Sequence, residues 1–477
     1  MSLDQLEKRI ESELAYIDFP LRSWMPPPTV DGAYDVVIIG AGQSGLATAH
    51  GLMREHVRNI LVLDRANEGS EGVWPHFARM HTLRTHKKAS GLDFGNPLLT
   101  PQAWYTARYG ESAWEQLEKI PTEVWHAYLQ WYRRVLKLPV RNGAEVLRIM
   151  PEGEHLRLAL AGGSALLARK VVLATGLVGG GSWYLPEIAK GLPRDRYAHT
   201  ENEIDFHGLA GARIGVLGGG ASAFDNAATA LEHGARSVDL CIRLPALPRV
   251  NPNKWMESHG FLGHYYTLSD AARWTFTRQV ASMNQPPPQE TLWRCTKHAN
   301  FTLHTGTAWH SVELDSEGMH VQTPQGTMIF DFLIFGTGLV QDLQKRPELA
   351  GLAADIATWA DRYVPVAGEE DDALARSPYL GAHYEFMERH PGSAPHLRNI
   401  HAFNFGATLS QGLSAASISG MKFGLRRLVT GLVGDLFMQD AEWHLQSLRA
   451  YALPEIESYR PGLPIDEWEH SGVPALS

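Results

Sequence analysis

Two glycine-rich turns, each directly after an apolar run, constrain the fold of this 477-residue chain more than any other feature. The first, Gly40-Ala-Gly-Gln-Ser-Gly45, follows the run 35–39, and the second, Gly218-Gly-Gly-Ala-Ser-Ala223, follows the run 214–217. A strand, this glycine spacing and then a helix form the fingerprint of a dinucleotide-binding βαβ unit. The chain is therefore predicted to be an α/β protein with two Rossmann-like domains. Two dinucleotides on one chain imply electron transfer between them.

The first turn is predicted to hold its dinucleotide through the backbone. Gly40, Gly42 and Gly45 together allow the tight turn, the close approach of the pyrophosphate and the packing of helix against strand. The pyrophosphate is expected at the helix N-terminus, beside Gln43 and Ser44, because free amide groups and the helix dipole favour an anion there.

An acidic residue follows the first turn at the expected distance. Asp64 comes directly after the apolar run 60–63, 24 residues after Gly40, and its carboxylate can accept hydrogen bonds from both ribose hydroxyls of an adenosine. Arg65, next to it, is a further predicted cofactor contact. A chance glycine turn is the alternative, but strand, glycines, helix and acid in this order make it much the weaker interpretation.

The second turn is followed by a basic residue where the first is followed by an acid. The run 238–242 leads to Arg243, 25 residues after Gly218. A planar guanidinium pairs well with the 2'-phosphate of NADPH and gains little from the bare hydroxyl of NADH. A solvated surface arginine is the alternative for Arg243. The predicted cofactor contacts at this turn are Gly218, Gly220, Ala221, Ser222, Ala223 and Arg243.

Two further apolar segments, 171–176 and 332–338, end in small residues, as expected where backbone passes against a bound nucleotide. Thr175 and Gly338 are the predicted contacts in these segments. The order of motifs over residues 34–440 resembles that of the class B flavoprotein monooxygenases, the group of flavin-containing, Baeyer-Villiger and N-hydroxylating monooxygenases.

The resemblance implies FAD on the first turn and NADPH on the second. It places Trp74 beside the flavin. Val146, at the start of a predicted strand that returns to the FAD domain, is a further candidate cofactor contact. The segment 404–414 is similar to one that passes under the flavin ring in N-hydroxylating enzymes, which makes Gln411 and Leu413 candidate flavin contacts. A tight turn that merely caps the following helix is an equal alternative for these two side chains.

The segment Leu83-Arg84-Thr85-His86 lies where flavin-containing monooxygenases carry a leucine, then a threonine or serine, and then an asparagine that faces the flavin. The resemblance makes Arg84 a cofactor contact and Thr85 and His86 catalytic residues. His86 stands in place of the asparagine and would bring a titratable group to the flavin.

The activity that the resemblance implies is a monooxygenation. NADPH would reduce FAD, the reduced flavin would form a hydroperoxide with dioxygen, and one oxygen atom would pass to a small organic substrate. Baeyer-Villiger enzymes carry Gly-Ala-Arg-Cys-Asp where this chain reads Phe77-Ala-Arg-Met-His81. Oxygenation at nitrogen or sulfur is therefore expected, and Baeyer-Villiger oxygenation of a ketone is an alternative.

Two other function classes compete with a monooxygenase. His86 in place of asparagine leaves open an NADPH-dependent flavin oxidase or reductase that releases hydrogen peroxide. A flavin-binding protein with a structural or regulatory role is the third class, but it would leave Arg243 and the second turn without a use.

Composition excludes several classes of protein. A net charge of -9 gives no basic surface for nucleic acid or anionic membrane, and there is no apolar run near the length of a membrane span. The two cysteines, Cys241 and Cys295, form no Cys-x-x-Cys pair, which excludes the dithiol relay of disulfide reductases. No zinc-ligand spacing occurs. A cytoplasmic protein is expected, and a homo-oligomer is left open.

The motifs divide the chain into three predicted parts. Residues 1–33 form a helical arm, in which Leu3, Leu6, Ile10 and Leu14 lie on one helix face, and a linker. The FAD domain takes residues 34–209 and 324–477, and the NADPH domain is an insertion at 210–323. A further helix at 125–132 is expected to pack its aromatic face against the FAD domain.

Overall fold

A computed structural model describes residues 1–19, 23–88, 91–415 and 417–456 and two short strands beyond them. The strands of the described residues are β1 (Tyr34–Ile39), β2 (Ile60–Leu63), β3 (Val140–Arg141), β4 (Val146–Glu152), β5 (His155–Leu160), β6 (Ala165–Leu173), β7 (Gly181–Trp183), β8 (Tyr197–His199), β9 (Arg213–Leu217), β10 (Ser237–Cys241), β11 (Phe301–His304), β12 (Ser311–Leu314), β13 (Met319–Thr323), β14 (Gly326–Phe330), β15 (Phe332–Phe335), β16 (Leu339–Gln341), β17 (Ile400–His401), β18 (Ser458–Arg460) and β19 (Leu463–Pro464).

The α-helices of the same residues are α1 (Leu3–Tyr16), α2 (Gln43–Arg54), α3 (Pro101–Tyr109), α4 (Glu111–Gln116), α5 (Thr122–Val135), α6 (Ala221–Glu232), α7 (Pro252–Met256), α8 (His259–His264), α9 (Asp270–Met283), α10 (Gln289–Thr296), α11 (Trp359–Arg362), α12 (Asp372–Ala375), α13 (Thr408–Gln411), α14 (Ile418–Gln439) and α15 (Ala441–Ala450). Short 3-10 turns connect several of them.

The first sheet has the order β3-β2-β1-β6-β5-β4, with β17 also paired to β6. β1 pairs in parallel with β2 and β6, whereas β4, β5 and β6 form an antiparallel meander. Val36, Val37 and Ile38 are completely buried, because a parallel strand covered on both faces has no polar side. The carboxyl end of β1 leads into the first glycine turn and α2, as the sequence predicts.

The second sheet is parallel throughout and has the order β11-β10-β9-β15-β8. β9 lies near its centre and leads into the second glycine turn and α6, which repeats the arrangement of the first sheet. β8 and β15 belong to this sheet although both lie outside the segment 210–323. The sheet therefore takes strands from both sides of the predicted insertion, and β12, β13 and β14 form a separate antiparallel sheet.

Four helices, α7 to α10, fill the connection between β10 and β11. They form a helical insert in the second sheet that packs on the turn before α14. The hydroxyl of Tyr265 donates to the Leu409 carbonyl at 3.3 Å, and Arg273 donates to the Ser410 carbonyl at 2.8 Å. The insert thus joins the second sheet to the segment 404–414.

The N-terminal arm forms the predicted helix, which docks on α5 beside the first sheet. Ser2 and Gln5 form a capping box at the start of α1, and Leu6, Ile10 and Leu14 are buried. Glu7 accepts hydrogen bonds from the Trp131 indole at 3.0 Å and from Arg134 at 2.6 Å, both on α5. The aromatic face of α5 is buried, which confirms the packing role predicted for it.

The chain divides into two compact units, residues 1–24 with 28–433 and residues 25–27 with 434–477. Both sheets and the helical insert belong to the first unit. The second contains the end of α14, α15 and the antiparallel pair of β18 and β19. No helix among the described residues combines the length and apolar character needed to cross a membrane.

Candidate nucleotide cleft and active site

The first glycine turn contains two glycines that the fold requires and one that it does not. Gly40 has φ +105°, and a Cβ atom there would lie 2.5 Å from the Ala174 carbonyl oxygen. A Cβ atom at Gly45 would lie well within 3.0 Å of the Gly40 carbonyl oxygen. At Gly42 the nearest atom to such a Cβ is the Gly72 Cα at 3.6 Å, an ordinary contact. The space beside Gly42 is open to the cavity described below.

Asp64 follows the last residue of β2 and fixes the first turn. Its Oδ2 atom accepts a hydrogen bond from the Ala41 amide at 2.7 Å, and its Oδ1 atom accepts one from the Ala66 amide at 2.8 Å. Each carboxylate oxygen keeps a second lone pair, since a carboxylate accepts about four hydrogen bonds in all. The side chain can therefore hold the turn and still accept from ribose hydroxyls.

A cavity of about 2670 Å³ begins at the first turn and extends along the helical insert. Small-ligand pockets measure roughly 300–1,000 Å³, so this one has room for a dinucleotide and a small molecule together. Most of the predicted FAD contacts and both predicted catalytic residues line it. They are Gly40, Gly42, Gln43, Ser44, Asp64, Arg65, Trp74, Arg84, Thr85, His86, Val146, Thr175 and Leu413.

Aromatic side chains hold the predicted FAD contacts in place near the N-terminus of α2. The Trp125 indole donates to Gln43 Oε1 at 3.2 Å, and Trp74 packs edge-on against Trp125 with ring centroids 6.4 Å apart. Trp125 is 1% exposed, so its ring is fixed by the core while its N–H reaches the cavity wall. Gln43 and Trp74 are thereby placed on one side of the cavity.

Arg84 lies on the cavity wall but already has a partner in the protein. Its guanidinium forms an ion pair with Asp225 of α6 at 2.8 Å. The sequence-based expectation that Arg84 binds a cofactor overlooked this carboxylate, because Asp225 lies 141 residues further along the chain. Arg84 thus connects the loop that carries Thr85 and His86 to the helix after the second turn.

Gln411 lies in the protein interior, contrary to the expectation of a flavin contact. Its side-chain amide donates to the Gly381 carbonyl at 2.6 Å and accepts from Arg427 at 2.8 Å, and the residue is 2% exposed. The turn beyond it reaches the cavity instead. Gly412 has φ +68° and packs on the ring of Tyr265, and Leu413 lines the cavity wall.

The second glycine turn repeats the pattern of the first. Gly218 has φ +141°, and a Cβ atom there would lie well within 3.0 Å of the Gly336 carbonyl oxygen. Ala223 packs so closely against Gly336 that a Cβ on that glycine would lie 2.6 Å away. Gly220, the N-cap residue of α6, has no atom within 4 Å of its Cβ position. The turn therefore leaves an open approach to the amides of Ala221 and Ser222.

Arg243 and Gly338 lie outside the large cavity, as do the residues of the second turn. Arg243 is exposed just beyond the carboxyl end of β10, and in the described part of the chain no carboxylate forms an ion pair with it. Gly338 has φ +79° and accepts a hydrogen bond from the Tyr184 amide at 2.9 Å. This contact gives Gly338 a structural role in the strand pair that β7 forms with β16.

The helical insert supplies a cavity wall that the sequence analysis did not identify. Phe261, Tyr265 and Phe276 line it, followed by the proline run 286–288. The aromatic rings form a series, with centroid distances of 5.1 Å from Tyr265 to Phe261 and 5.4 Å from Phe261 to Phe276. These residues come from different helices, so no spacing in the sequence marks them as a set.

His86 lines the same cavity as this wall. It is exposed to the cavity, and it lies close enough to Glu257 for its charge to counteract the effect of burial on that carboxyl. Burial raises the pKa of Glu257, and the charges of Lys254 and His86 oppose the rise. A carboxyl, an imidazole and an ammonium group therefore line the same cavity, where they can hold or exchange a proton.

Glu201 is a second titratable group on the cavity wall that the sequence did not reveal. Burial raises its pKa to about 6, and the charge of Arg65 opposes the rise. A carboxyl whose pKa is higher in the folded than in the unfolded chain favours folding at low pH, and this advantage disappears as the pH rises through about 6.

We therefore expect Glu201→Gln to make the protein more stable than the wild type above about pH 7 and to lose this advantage near about pH 4. Urea unfolding at both pH values measures the difference. Glu118→Gln, an exposed carboxyl on the same cavity wall, is the matched control and should show no such change with pH. An equal effect of Glu201→Gln on stability at both pH values would contradict a raised pKa of Glu201 in the folded protein.

Both cysteines are buried, Cys241 in β10 and Cys295 in α10. Burial raises the pKa of Cys241 to about 11 and that of Cys295 to about 12, so neither is a reactive thiolate. Within the described residues, no group of three or more histidine, cysteine or acidic side chains could hold a metal ion.

Comparison with known proteins gives one family model and one curated relative. The model, described as pyridine nucleotide-disulphide oxidoreductase, matches residues 37–258. The FAD-dependent urate hydroxylase of Xanthomonas campestris pv. campestris is 44% identical over 467 residues, which cover 97% of this chain and 98% of that protein.

Solved structures with the same fold include two hydroxylases of ornithine. The reduced form of ornithine hydroxylase from Pseudomonas aeruginosa has a TM-score of 0.66 at 18% identity and covers 85% of this chain and 100% of that chain. Ornithine N-hydroxylase from Kutzneria sp. 744, with reduced FAD, NADP+ and L-ornithine, has a TM-score of 0.64 at 16% identity and covers 84% and 99%. At these identities the likeness shows the fold alone.

Proposed function

We propose that this chain, which belongs to the family of the FAD-dependent urate hydroxylase of Xanthomonas campestris, is an FAD- and NADPH-dependent monooxygenase of urate or a closely related nitrogen heterocycle. The observation that carries the proposal is the open space at Gly42. The fold does not require a glycine there, yet the position adjoins a cavity large enough for a dinucleotide and a small molecule.

The residues of the first turn fit FAD. Amide groups at the N-terminus of α2 would hold the pyrophosphate, and Asp64 would accept from the adenosine ribose. Arg65 and Val146 line the part of the cavity next to Asp64, where the adenosine would lie. The flavin end would reach Trp74 and Leu413, which leaves the wall of Phe261 and Phe276 for the substrate.

The residues of the second turn fit NADPH. Gly220 leaves the N-terminus of α6 open to a pyrophosphate, and Arg243 stands free beyond β10 to pair with a 2'-phosphate. The ornithine N-hydroxylase of the same fold contains NADP+ together with reduced FAD. A requirement for NADPH also supports a cytoplasmic location, where this nucleotide is supplied.

Bound FAD would supply the activation of dioxygen that no side chain of the cavity can provide. The side chains bind and orient the substrate and limit the access of water. His86, which lines the cavity together with Glu257 and Lys254, would hold or move a proton at the substrate, because an imidazole can both donate and accept a proton. Thr85, next to His86 on the cavity wall, can donate a hydrogen bond to the substrate or the flavin.

The wall of the helical insert suits a planar, negatively charged ring. Urate is such a ring, and it carries a negative charge at neutral pH. Phe261 and Phe276 offer aromatic faces for stacking, and Lys254 brings a positive charge to the same wall. The names of the relatives specify urate and ornithine, both of which contain nitrogen, and this supports the expected oxygenation at nitrogen or sulfur over that of a ketone.

The test is NADPH consumption by the purified, FAD-loaded protein, followed with and without urate, with product and hydrogen peroxide assayed at the end. We expect urate to accelerate NADPH consumption and to yield one hydroxylated product per NADPH, with little peroxide. Ornithine, xanthine and a cyclic ketone are the comparison substrates.

Two results would contradict the proposal. An ester or lactone from the ketone would indicate Baeyer-Villiger chemistry. An NADPH consumption that no compound accelerates, with one peroxide released per NADPH, would indicate an oxidase or reductase.

The aromatic wall gives a prediction about substrate affinity. Phe276→Ala removes a stacking face and should raise the KM for urate at least about fivefold, because an aromatic contact contributes about 1 kcal/mol beyond its buried area. Trp293→Ala is the matched control, since Trp293 is an exposed aromatic residue of α10 that lies outside the cavity. Steady-state kinetics with urate measures both variants. Equal KM values for Phe276→Ala and Trp293→Ala would show that urate does not bind at this wall.

A further inference from the structure

We propose that Arg84 and Asp225 are positioning residues that couple nucleotide binding at the second turn to the loop of Thr85 and His86. The inference goes beyond the proposed function and depends on its NADP(H) site. Asp225 lies on α6, the helix whose N-terminus would hold the nucleotide pyrophosphate. Arg84 lies next to Thr85 on the cavity wall, and the two side chains form an ion pair at 2.8 Å.

Asp225 is a buried carboxylate, with 3% of its side chain exposed. Burial raises its pKa, and Arg84, Thr291 and Arg294 oppose the rise. A charge in such a place is strongly destabilised unless it is paired and hydrogen-bonded. The position of α6 therefore depends on the partners that reach Asp225 from other parts of the chain.

Of the two arginines that form ion pairs with Asp225 in the described residues, Arg84 is the closer. Arg294 lies 3.5 Å from the carboxylate and is engaged elsewhere, since it donates to Glu232 at 3.0 and 2.8 Å. It also donates to the Arg79 carbonyl at 3.2 Å. Among the described residues, loss of Arg84 would leave Asp225 with only the longer of two ion pairs. The buried carboxylate therefore stabilises the Arg84 loop in its present position.

Thr85 and His86 lie between two anchors that belong to different parts of the fold. On one side Arg84 is bound to α6, beside the second sheet. On the other side the ammonium group of Lys87 donates to the Trp114 carbonyl at 2.7 Å, in α4. A shift of α6 on nucleotide binding would move Arg84, while Lys87 stays anchored to α4. Thr85 and His86, which lie between them, would therefore be displaced.

A direct cofactor contact of Arg84 would not account for its ion pair with Asp225. The negative charge of NADP(H) at the N-terminus of α6 would act on Asp225, one helical turn away. The ion pair with Arg84 would transmit the resulting change to Thr85 and His86. A coupling free energy between two sites acts in both directions. A change that removes it must therefore alter both the affinity for the nucleotide and the order of the Thr85-His86 loop.

The experiment compares the FAD-loaded wild type with Arg84→Met, Arg84→Lys, Asp225→Asn and the double variant Arg84→Met/Asp225→Asn. Calorimetry gives the NADP+ affinity, and hydrogen exchange of residues 82–88 with and without NADP+ gives the order of the loop. Arg389→Met is the matched control, because Arg389 also pairs with a single aspartate and its side chain is likewise 34% exposed.

In the wild type we expect NADP+ to slow exchange in residues 82–88. Arg84→Met should abolish this protection and weaken NADP+ binding about fivefold or more, and Arg84→Lys should restore part of both. In the double variant the loss of affinity should be smaller than the sum of the two single losses, since both changes remove one interaction. Arg389→Met should behave as the wild type.

Protection of residues 82–88 that persists in Arg84→Met would overturn the inference, whatever the affinity. Arg84→Met and Arg84→Lys decide the matter even if Asp225→Asn does not fold, because Arg84 lies at the surface of the cavity. A wild type that binds FAD but not NADP+ would contradict the proposed NADPH site itself, and the coupling with it. The two failures are thus distinguishable.

Discussion

Alanine at Gly45 is expected to prevent the first domain from folding, whereas alanine at Gly42 is expected to leave the fold intact and remove the FAD. A Cβ atom at Gly45 would lie well within 3.0 Å of the Gly40 carbonyl oxygen, so α2 would have to move away from β1. Overpacking of this kind costs at least about 3 kcal/mol. The corresponding atom at Gly42 meets nothing closer than 3.6 Å, so the cost there is about 1 kcal/mol, that of a changed N-cap.

Comparison of these two variants distinguishes a glycine that is required for folding from one that is required for FAD binding. Gly42→Ala should be purified as soluble, colourless protein with a cooperative thermal transition, and FAD titration followed by flavin fluorescence should show an affinity at least about 100-fold weaker than that of the wild type. Gly45→Ala should appear mainly in the insoluble fraction. Unchanged FAD affinity in Gly42→Ala would place the pyrophosphate somewhere other than the first turn.

The parts of the fold that the sequence predicts are those that depend on short stretches of chain. A glycine turn between an apolar strand and a helix is a local structure, and so both turns, their strands and helices, and the capped helix α1 are correctly predicted. Asp64 also follows from local spacing, because β2 pairs directly with β1. The structure adds that the carboxylate of Asp64 holds the turn itself.

What the sequence does not reveal concerns side chains whose partners lie far along the chain. Arg84 stays a predicted cofactor contact, but Asp225 cannot be recognised as its partner from sequence. Gln411 was expected at the flavin, but the carbonyl of Gly381 and the guanidinium of Arg427 fix its amide in the interior. The aromatic wall was missed for the same reason, since its rings meet only after α8 and α9 pack together. Glu201 shows its raised pKa only once burial is known.

The expected effect of replacing Arg243 by alanine is a loss of preference for NADPH over NADH. Its guanidinium is exposed beyond β10, and in the described residues no carboxylate competes for it. A charge-assisted pair with the 2'-phosphate contributes about 1.5–3 kcal/mol. Arg243→Ala should therefore raise the KM for NADPH about 10- to 100-fold and change that for NADH by less than about threefold.

Two further variants make this prediction specific. Arg236→Ala removes an exposed arginine from the other end of β10 and should leave both KM values unchanged, which excludes a general effect of charge. Gly220→Ala should weaken the binding of NADPH and NADH equally, because both nucleotides contain the pyrophosphate. The fold itself leaves the space at Gly220 open. If Arg243→Ala weakened both nucleotides to the same degree, the arginine would act on the shared pyrophosphate. If it weakened neither, Arg243 would be the solvated surface residue that the sequence also allowed.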